Sequence, residues 1–358
     1  MTMRIYLDWN ATAPMRGAAV EAIAEESRRW ANPSSVHGEG RSAKGRLERA
    51  RESLAAAFGT MPSQLIFTSG GTEALALALQ GTMMPRILVS AVEHSAVLEA
   101  APGAQILPVD SDGRLCLNAL QDALKEGPAL VALMHANNET GVLQPVEEVV
   151  DLVRACGGLT LVDAVQTAGK MRLPSADFVA ISAHKIGGPP GAGMLVARCA
   201  DQLEAVQKGG GQERGLRGGT ENLPGIAGFA AAAEAYDMEW LAAAAKRHRR
   251  LEDAVKAAGG TIVGERAQRL QNVSMIRMPG VSAASQLMVL DLAGFALSSG
   301  SACSSGKVGA SHVLAAMGMD APAAGEAVRV SSGWLTEDED VERFAEAWVR
   351  LAEQRRAA

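Results

Sequence analysis

Through the first two thirds of this chain, short apolar runs alternate with helical patterns, and no other feature constrains the fold so tightly. The runs fall at 65–68, 86–91, 105–109, 129–135, 160–163, 177–182 and 194–197, with helical patterns at 73–80, 117–125 and 145–155. Such alternation predicts an α/β fold: a large domain with a mostly parallel seven-stranded sheet, covered on both faces. Short Gly/Pro-rich turns join the runs near 177–197, which predicts one antiparallel edge strand. A long helical stretch is expected over 223–257. After it the order becomes strand (261–263), strand (273–277), helix (283–292), short strand, helix, strand (327–331) and helix (337–353). That order predicts a smaller α+β domain. The large domain is expected over 13–257 and the small one over 1–12 and 258–358, divided at Ala258-Gly259-Gly260.

At 358 residues, the chain can bury a large core without disulfides or a structural metal. Its 48% apolar and 21% charged residues are ordinary for a soluble globular protein. The net charge of -6 comes with no block of like charge, so no nucleic-acid surface is expected. Lys246-Arg247-His248-Arg249-Arg250 reads as a solvated helix face. The most apolar long stretch, 226–245, is interrupted by Glu234, Asp237 and Glu239, which argues against a membrane span. The start lacks the basic-then-apolar design of a signal peptide. Cys116, Cys156, Cys199 and Cys303 show no metal-ligand spacing, and a reducing cytoplasmic location is the default. The first three have apolar neighbours and read as packing residues.

Chemistry-bearing residues gather where the predicted strands end, which is where open α/β sheets bind ligands. Lys185 follows the 177–182 run in a Gly/Pro-rich segment. In a desolvated pocket such a lysine forms a Schiff base; in an open loop it is merely a surface lysine. Asp163 ends another run, where it can pair with a pyridinium nitrogen or cap the next helix, and Gln166 lies three residues on. Thr68-Ser69-Gly70-Gly71-Thr72-Glu73 joins a strand to a helix and offers backbone N–H groups to a phosphate, or else is an ordinary helix cap. His94, after the 86–91 run, can stack on an aromatic ring and handle protons, or serve structure. Cys303 sits among Ser298-Ser299-Gly300-Ser301-Ala302 and Ser304-Ser305-Gly306-Lys307. These surroundings are too polar for a core strand and suit an exposed, flexible loop. Lys307 would favour its thiolate if close.

Taken in order, these pieces resemble the cysteine desulfurases, the NifS/IscS-like branch of the class V aminotransferase fold family. The likeness spans nearly the whole chain. It runs from Tyr6-Leu7-Asp8-Trp9-Asn10-Ala11-Thr12-Ala13-Pro14 through Asn32-Pro33-Ser34-Ser35-Val36-His37, Asn137-Asn138-Glu139-Thr140-Gly141 and His184-Lys185. It continues with Glu213-Arg214-Gly215-Leu216-Arg217-Gly218-Gly219-Thr220, the Cys303 segment and Val328-Arg329-Val330-Ser331. The resemblance implies a type I pyridoxal-phosphate (PLP) transferase fold that takes sulfur from L-cysteine, releasing L-alanine and leaving a persulfide on Cys303. It implies Lys185 as the Schiff-base lysine, His94 stacked over the ring, Asp163 on the pyridinium and Gln166 beside the ring hydroxyl. Asn138 would lie near cofactor and substrate, and Gly71, Thr72, Ser182 and His184 near the phosphate. Arg329 would clamp the substrate carboxylate. Thr220 would reach the phosphate of a neighbouring subunit, implying a homodimer. Sulfur would pass to acceptors such as an iron–sulfur scaffold or tRNA-thiolation proteins. No resident metal is implied, and a transient iron–sulfur cluster on Cys303 is left open. Trp9, Gly71 and Thr140 depart from the commonest family pattern. Rival readings are another PLP enzyme, such as a selenocysteine lyase or aminotransferase, and a non-catalytic scaffold.

Overall fold

The computed structural model describes residues 4–300 and 311–357, and side chains through residue 355. Its strands in chain order are β1 (Ile5–Tyr6), β2 (Leu65–Thr68), β3 (Ile87–Ser90), β4 (Gln105–Leu107), β5 (Leu130–Met134) and β6 (Leu159–Asp163). They continue with β7 (Phe178–Ser182), β8 (Gly193–Ala197), β9 (Thr261–Ile262), β10 (Val273–Arg277), β11 (Phe295–Ala296) and β12 (Ala327–Ser331).

Seven strands form the large sheet in the order β2-β8-β7-β6-β5-β3-β4. Every residue of β5, β6 and β7 is buried, which explains why these strands read as unbroken apolar runs. Side chains still alternate between faces. Val131 and Leu133 enter one core, with Val146, Val149 and Val153 of the helix Val146–Ala155. Leu130 and Ala132 enter the other, with Leu75 and Leu79 of the helix Gly71–Gly81. The antiparallel member is β8, which pairs with both β7 and β2. It is therefore interior, not the edge strand expected. Two reversals leave β2 running the same way as β7. The chain after Thr68 thus emerges at the same sheet edge as the ends of β3, β5, β6 and β7. The turn there is tight, since a Cβ on Gly193 would lie 2.6 Å from the Gly70 Cα.

The expected helix over 223–257 is two helices, Leu223–Glu234 and Glu239–Ala257. Between them Tyr236 turns inward beneath the Arg16 guanidinium, and the Asp237 carboxylate accepts the Glu239 N–H at 3.0 Å, starting the second helix afresh. Leu251 and Val255 of that second helix pack into a separate core with Ile276, Val328, Phe344 and Trp348. In this second unit β10 lies between β9 and β12, both antiparallel to it, and β1 pairs in parallel with β11. Ile5 and Leu7 join the same core. We propose that the boundary expected at 258 instead falls at the 235–238 break.

The basic cluster 246–250 is not a uniformly solvated face. Arg247 and Arg250 pair with Asp338, and His248 is 4% exposed. The cysteines read as packing residues are looser than expected, with Cys156 exposed and Cys116 and Cys199 half-buried. The helices Gly17–Arg28 and Gly38–Phe58 were not singled out in the sequence, where Gly-containing starts blur their period. No helix among the described residues is long and apolar enough to cross a membrane.

Candidate active site

A cavity of about 240 Å³ opens at the sheet edge where these strands end. Asp163 closes β6, the middle strand of the seven, and is buried. Its Oδ1 accepts the Val165 N–H at 2.9 Å. Burial raises the Asp163 pKa, while that N–H and the charges of His94 and Lys185 hold it down. Lys185 lies on the turn Ala183–Lys185 that leaves β7. Its Nζ donates to the carbonyls of Asn10, at 2.5 Å, and Ala11, at 2.8 Å. Gln166 Nε2 donates to the same Asn10 carbonyl at 3.0 Å.

His94 caps the helix Ser95–Ala100: its Nδ1 accepts the Ala96 N–H at 3.1 Å, which sets the ring's orientation. The structural and functional readings of this residue are therefore compatible. Gly70 caps the helix Gly71–Gly81 without a side chain, and Gly71 and Thr72 line the cavity at the helix's positive end. Ser182 and His184 line the same wall. Burial, then the Lys185 charge, lowers the His184 pKa to about 4, so the ring is neutral at pH 7. Its Nδ1 lies 3.1 Å from Thr12 Oγ1.

Arg329, from β12, also lines the cavity and is 3% exposed. It donates to Asp8 Oδ1 at 2.5 Å and to the Asn138 carbonyl at 3.0 Å. Asn10 Nδ2 reaches the same carbonyl at 3.0 Å. Three buried polar atoms around the cavity, Arg329 Nε, Gln166 Oε1 and Asn10 Oδ1, have no hydrogen-bond partner among the described residues.

The cavity thus brings together Gly71, Thr72, His94, Asn138, Asp163, Gln166, Ser182, His184, Lys185 and Arg329. Thr220 does not line it and is exposed. Cys303 lies outside the described residues. Its approach does not: Ser298 bridges to Arg329, whose backbone N–H donates to the Ser298 carbonyl at 2.6 Å. Sequence reasoning missed Asp8 and Asn10 as site residues. They lie in the first motif quoted, but nothing local says that this segment crosses to the end of β7.

The three departures from the family pattern have local explanations. Trp9 is buried edge-on to Trp334 at 4.7 Å, and Gly333 makes room, since a Cβ there would lie 2.0 Å from the Trp9 ring. A Cβ on Gly71 would lie 2.7 Å from Val165 Cγ2. Thr140 is buried with its hydroxyl on Asn137 Oδ1 at 3.2 Å.

Comparison with known proteins places the chain in a family. The family model for class-V aminotransferases matches residues 5–344. A cysteine desulfurase from Cereibacter sphaeroides is 38% identical, the match covering 99% of this chain and 97% of the relative. Cysteine desulfurase IscS 1 from Archaeoglobus fulgidus is 34% identical, covering 98% of each. The solved structure of a NifS-like protein from Rickettsia africae superposes with a TM-score of 0.89 at 32% identity, covering 98% of this chain and 99% of that one. The chain belongs to the PLP-dependent class-V aminotransferase family, among its NifS/IscS-like cysteine desulfurases.

Proposed function

We propose that this protein, with pyridoxal phosphate bound, moves the sulfur of L-cysteine onto Cys303 and releases L-alanine. The observation that carries the reading is the convergence of Lys185, Asp163, His94 and Arg329 on one cavity beside a helix N-terminus. The residues present fit the cofactor. The helix N-terminus suits a phosphate, and neutral His184 can donate to it without competing for charge. The unpartnered Gln166 Oε1 and Asn10 Oδ1 await polar groups of a ligand.

Pyridoxal phosphate supplies an electron sink for bonds at the substrate Cα. Asp163 would provide the negative charge for the ring nitrogen, at the end of the middle strand of the sheet. His94, fixed by its cap at the cavity, would lie against the ring. Lys185 would hold the cofactor through its amine and carry the Cα proton, and the Asn10 and Ala11 carbonyls keep its ammonium at the cavity. Arg329 and Asn138 receive the substrate carboxylate, which would displace Asp8 from the guanidinium. The Cys303 thiolate attacks the substrate sulfur. An S–S bond forms, the Cβ–S bond breaks, and Cβ takes up a proton to give alanine. Exposed Thr220 serves a neighbouring subunit's site, so the working unit is a homodimer. The enzyme is cytoplasmic, and the persulfide passes to acceptors such as an iron–sulfur scaffold.

Purified protein loaded with pyridoxal phosphate should turn L-cysteine into alanine and carry a persulfide that mass mapping places on Cys303. Cys303→Ala should keep the cofactor absorption band and lose the persulfide. Full alanine and persulfide output from that variant would refute the reading.

A further inference from the structure

Glu139 is 3% exposed and has no part in the reaction just described. A buried carboxyl group gives up its hydration, and an apolar side chain would fill the space more cheaply, so its contacts matter. Its backbone position is fixed by Asn137, whose Oδ1 accepts the N–H groups of Glu139 and Thr140, both at 2.9 Å. Asn137 is itself held, with Nδ2 donating to the Val92 carbonyl at 3.1 Å. Gly141, at φ +76°, closes the turn.

From this braced turn the Glu139 side chain meets the chain on both sides of residues 301–310. On the far side, the Ser311 hydroxyl donates to Glu139 Oε2 at 2.6 Å. The same Ser311 Oγ accepts the Leu314 N–H at 3.1 Å, so this contact also sets the start of the helix His312–Ala316. On the near side lies Gly300, at φ +84°. A Cβ there would lie 2.9 Å from Glu139 Oε2 and 3.1 Å from Met275 Cε, so a larger residue would push these side chains aside and strain the left-handed backbone. One carboxyl oxygen therefore abuts both Gly300 and Ser311. The turn is also tied to the site, because the adjacent Asn138 carbonyl accepts from Arg329 at 3.0 Å. Burial raises the Glu139 pKa, while Ser311, His312, Arg329 and His94 counter it.

We propose that Glu139 is the positioning residue for sulfur transfer: it hydrogen-bonds the chain just after 301–310 at Ser311, packs against the chain just before it at Gly300, and so ties both flanks to the turn that carries Asn138 and sets the reach of Cys303 relative to the substrate. The inference rests on Cys303 being the sulfur acceptor. Glu139 acts through the chain it holds and touches no reacting atom.

The test compares wild type, Glu139→Gln, Glu139→Leu, Ser311→Ala and Cys303→Ala, all loaded with pyridoxal phosphate. Three quantities are read: half-saturation of the L-cysteine-induced change in cofactor absorbance, the rate of alanine formation, and the rate of Cys303 alkylation by iodoacetamide, located by mass. Glu139→Gln keeps an acceptor for Ser311 and should stay within about three-fold of wild type in all three, on the scale of one modest hydrogen bond. Glu139→Leu should hold the half-saturation within about three-fold, lose about 100-fold in alanine formation through misplacement, and change the alkylation rate. Ser311→Ala, which leaves the Gly300 contact, should lose about ten-fold in alanine formation. Wild-type alanine and alkylation rates in both Glu139→Leu and Ser311→Ala would overturn the inference. So would a rise in half-saturation as large as the loss in rate, which would make Glu139 a binding residue. If Glu139→Leu shows no cofactor band, Ser311→Ala decides. An active wild type with an inactive Cys303→Ala leaves the desulfurase reading standing whatever Glu139 does. If wild type makes no alanine, that reading fails and the inference falls with it.

Discussion

His248 makes a sharp demand on the pH dependence of stability. Its Nδ1 lies 2.9 Å from Ser274 Oγ and its Nε2 2.9 Å from Ser332 Oγ. Because the Ser274 hydroxyl gives its proton to Glu252 Oε1 at 2.6 Å, Ser274 Oγ must accept from Nδ1–H. Nε2 then accepts from Ser332, and the neutral ring is fully satisfied. Protonation would place a cation at a buried position near Arg269 and Arg247. Burial, then those two charges, lowers the His248 pKa from 6.5 to about 3. Between those values the unfolded chain binds a proton that the folded chain does not, so stability falls as pH drops from 6.5 towards 3. Each pH unit in that window costs up to about 1.4 kcal/mol, or on the order of 2 kcal/mol by pH ~5. His248→Gln, neutral throughout, should be less stable near neutrality but lack this slope. Urea unfolding of both proteins, followed by tryptophan fluorescence at pH about 7.5 and about 5, gives the double difference. Equal losses in wild type and variant would refute the buried-neutral assignment, as would an imidazole NMR signal from His248 that titrates near its ordinary pH.

Other expectations follow from the same geometry. Asp163→Asn keeps the shape at the end of β6 but removes the charge, and turnover should fall by about 10²–10³-fold with the cofactor still bound, as read by alanine release. Arg329→Lys cannot hold a carboxylate with two parallel bonds, so KM for L-cysteine should rise by about ten-fold or more, with a smaller change in kcat. The ion pair of Arg51 with Glu213, 2.7 Å long and almost fully buried, ties the 213–220 segment to β2, where Glu213 also accepts the Phe67 N–H at 2.8 Å. Glu213→Leu leaves the buried Arg51 only the exposed Glu48 carboxylate, at 3.2 Å, and should cost about 3–5 kcal/mol, seen as a lower urea midpoint. Trp348→Ala, at the centre of the second core, should cost about 3–5 kcal/mol by the same measurement.

Much of this protein is written in local pattern. The strands and helices of the sheet, and the identity of β10, the helix Ala283–Leu292 and β12, follow from runs and periods, because burial of both sheet faces leaves little choice of residue. Lys185, Asp163, His94 and Gly71 were legible because each follows an apolar run, and strand ends in such sheets meet at one edge. The family resemblance, carried by motifs in order, supplied the task of Arg329 and Cys303. What needed tertiary structure is whatever depends on which elements become neighbours. Nothing near 193–197 says that β2 will add outside β8 and make it interior. Nothing near residue 10 says that its carbonyl will receive an amine from residue 185. His248 looks like part of a charged helix face until Ser274 and Ser332 close over it, and Glu139 looks like a turn residue until Gly300 and Ser311 arrive. Local sequence encodes which side of an element is buried; long-range packing alone decides against what, because that choice is made by complementarity between surfaces far apart in the chain.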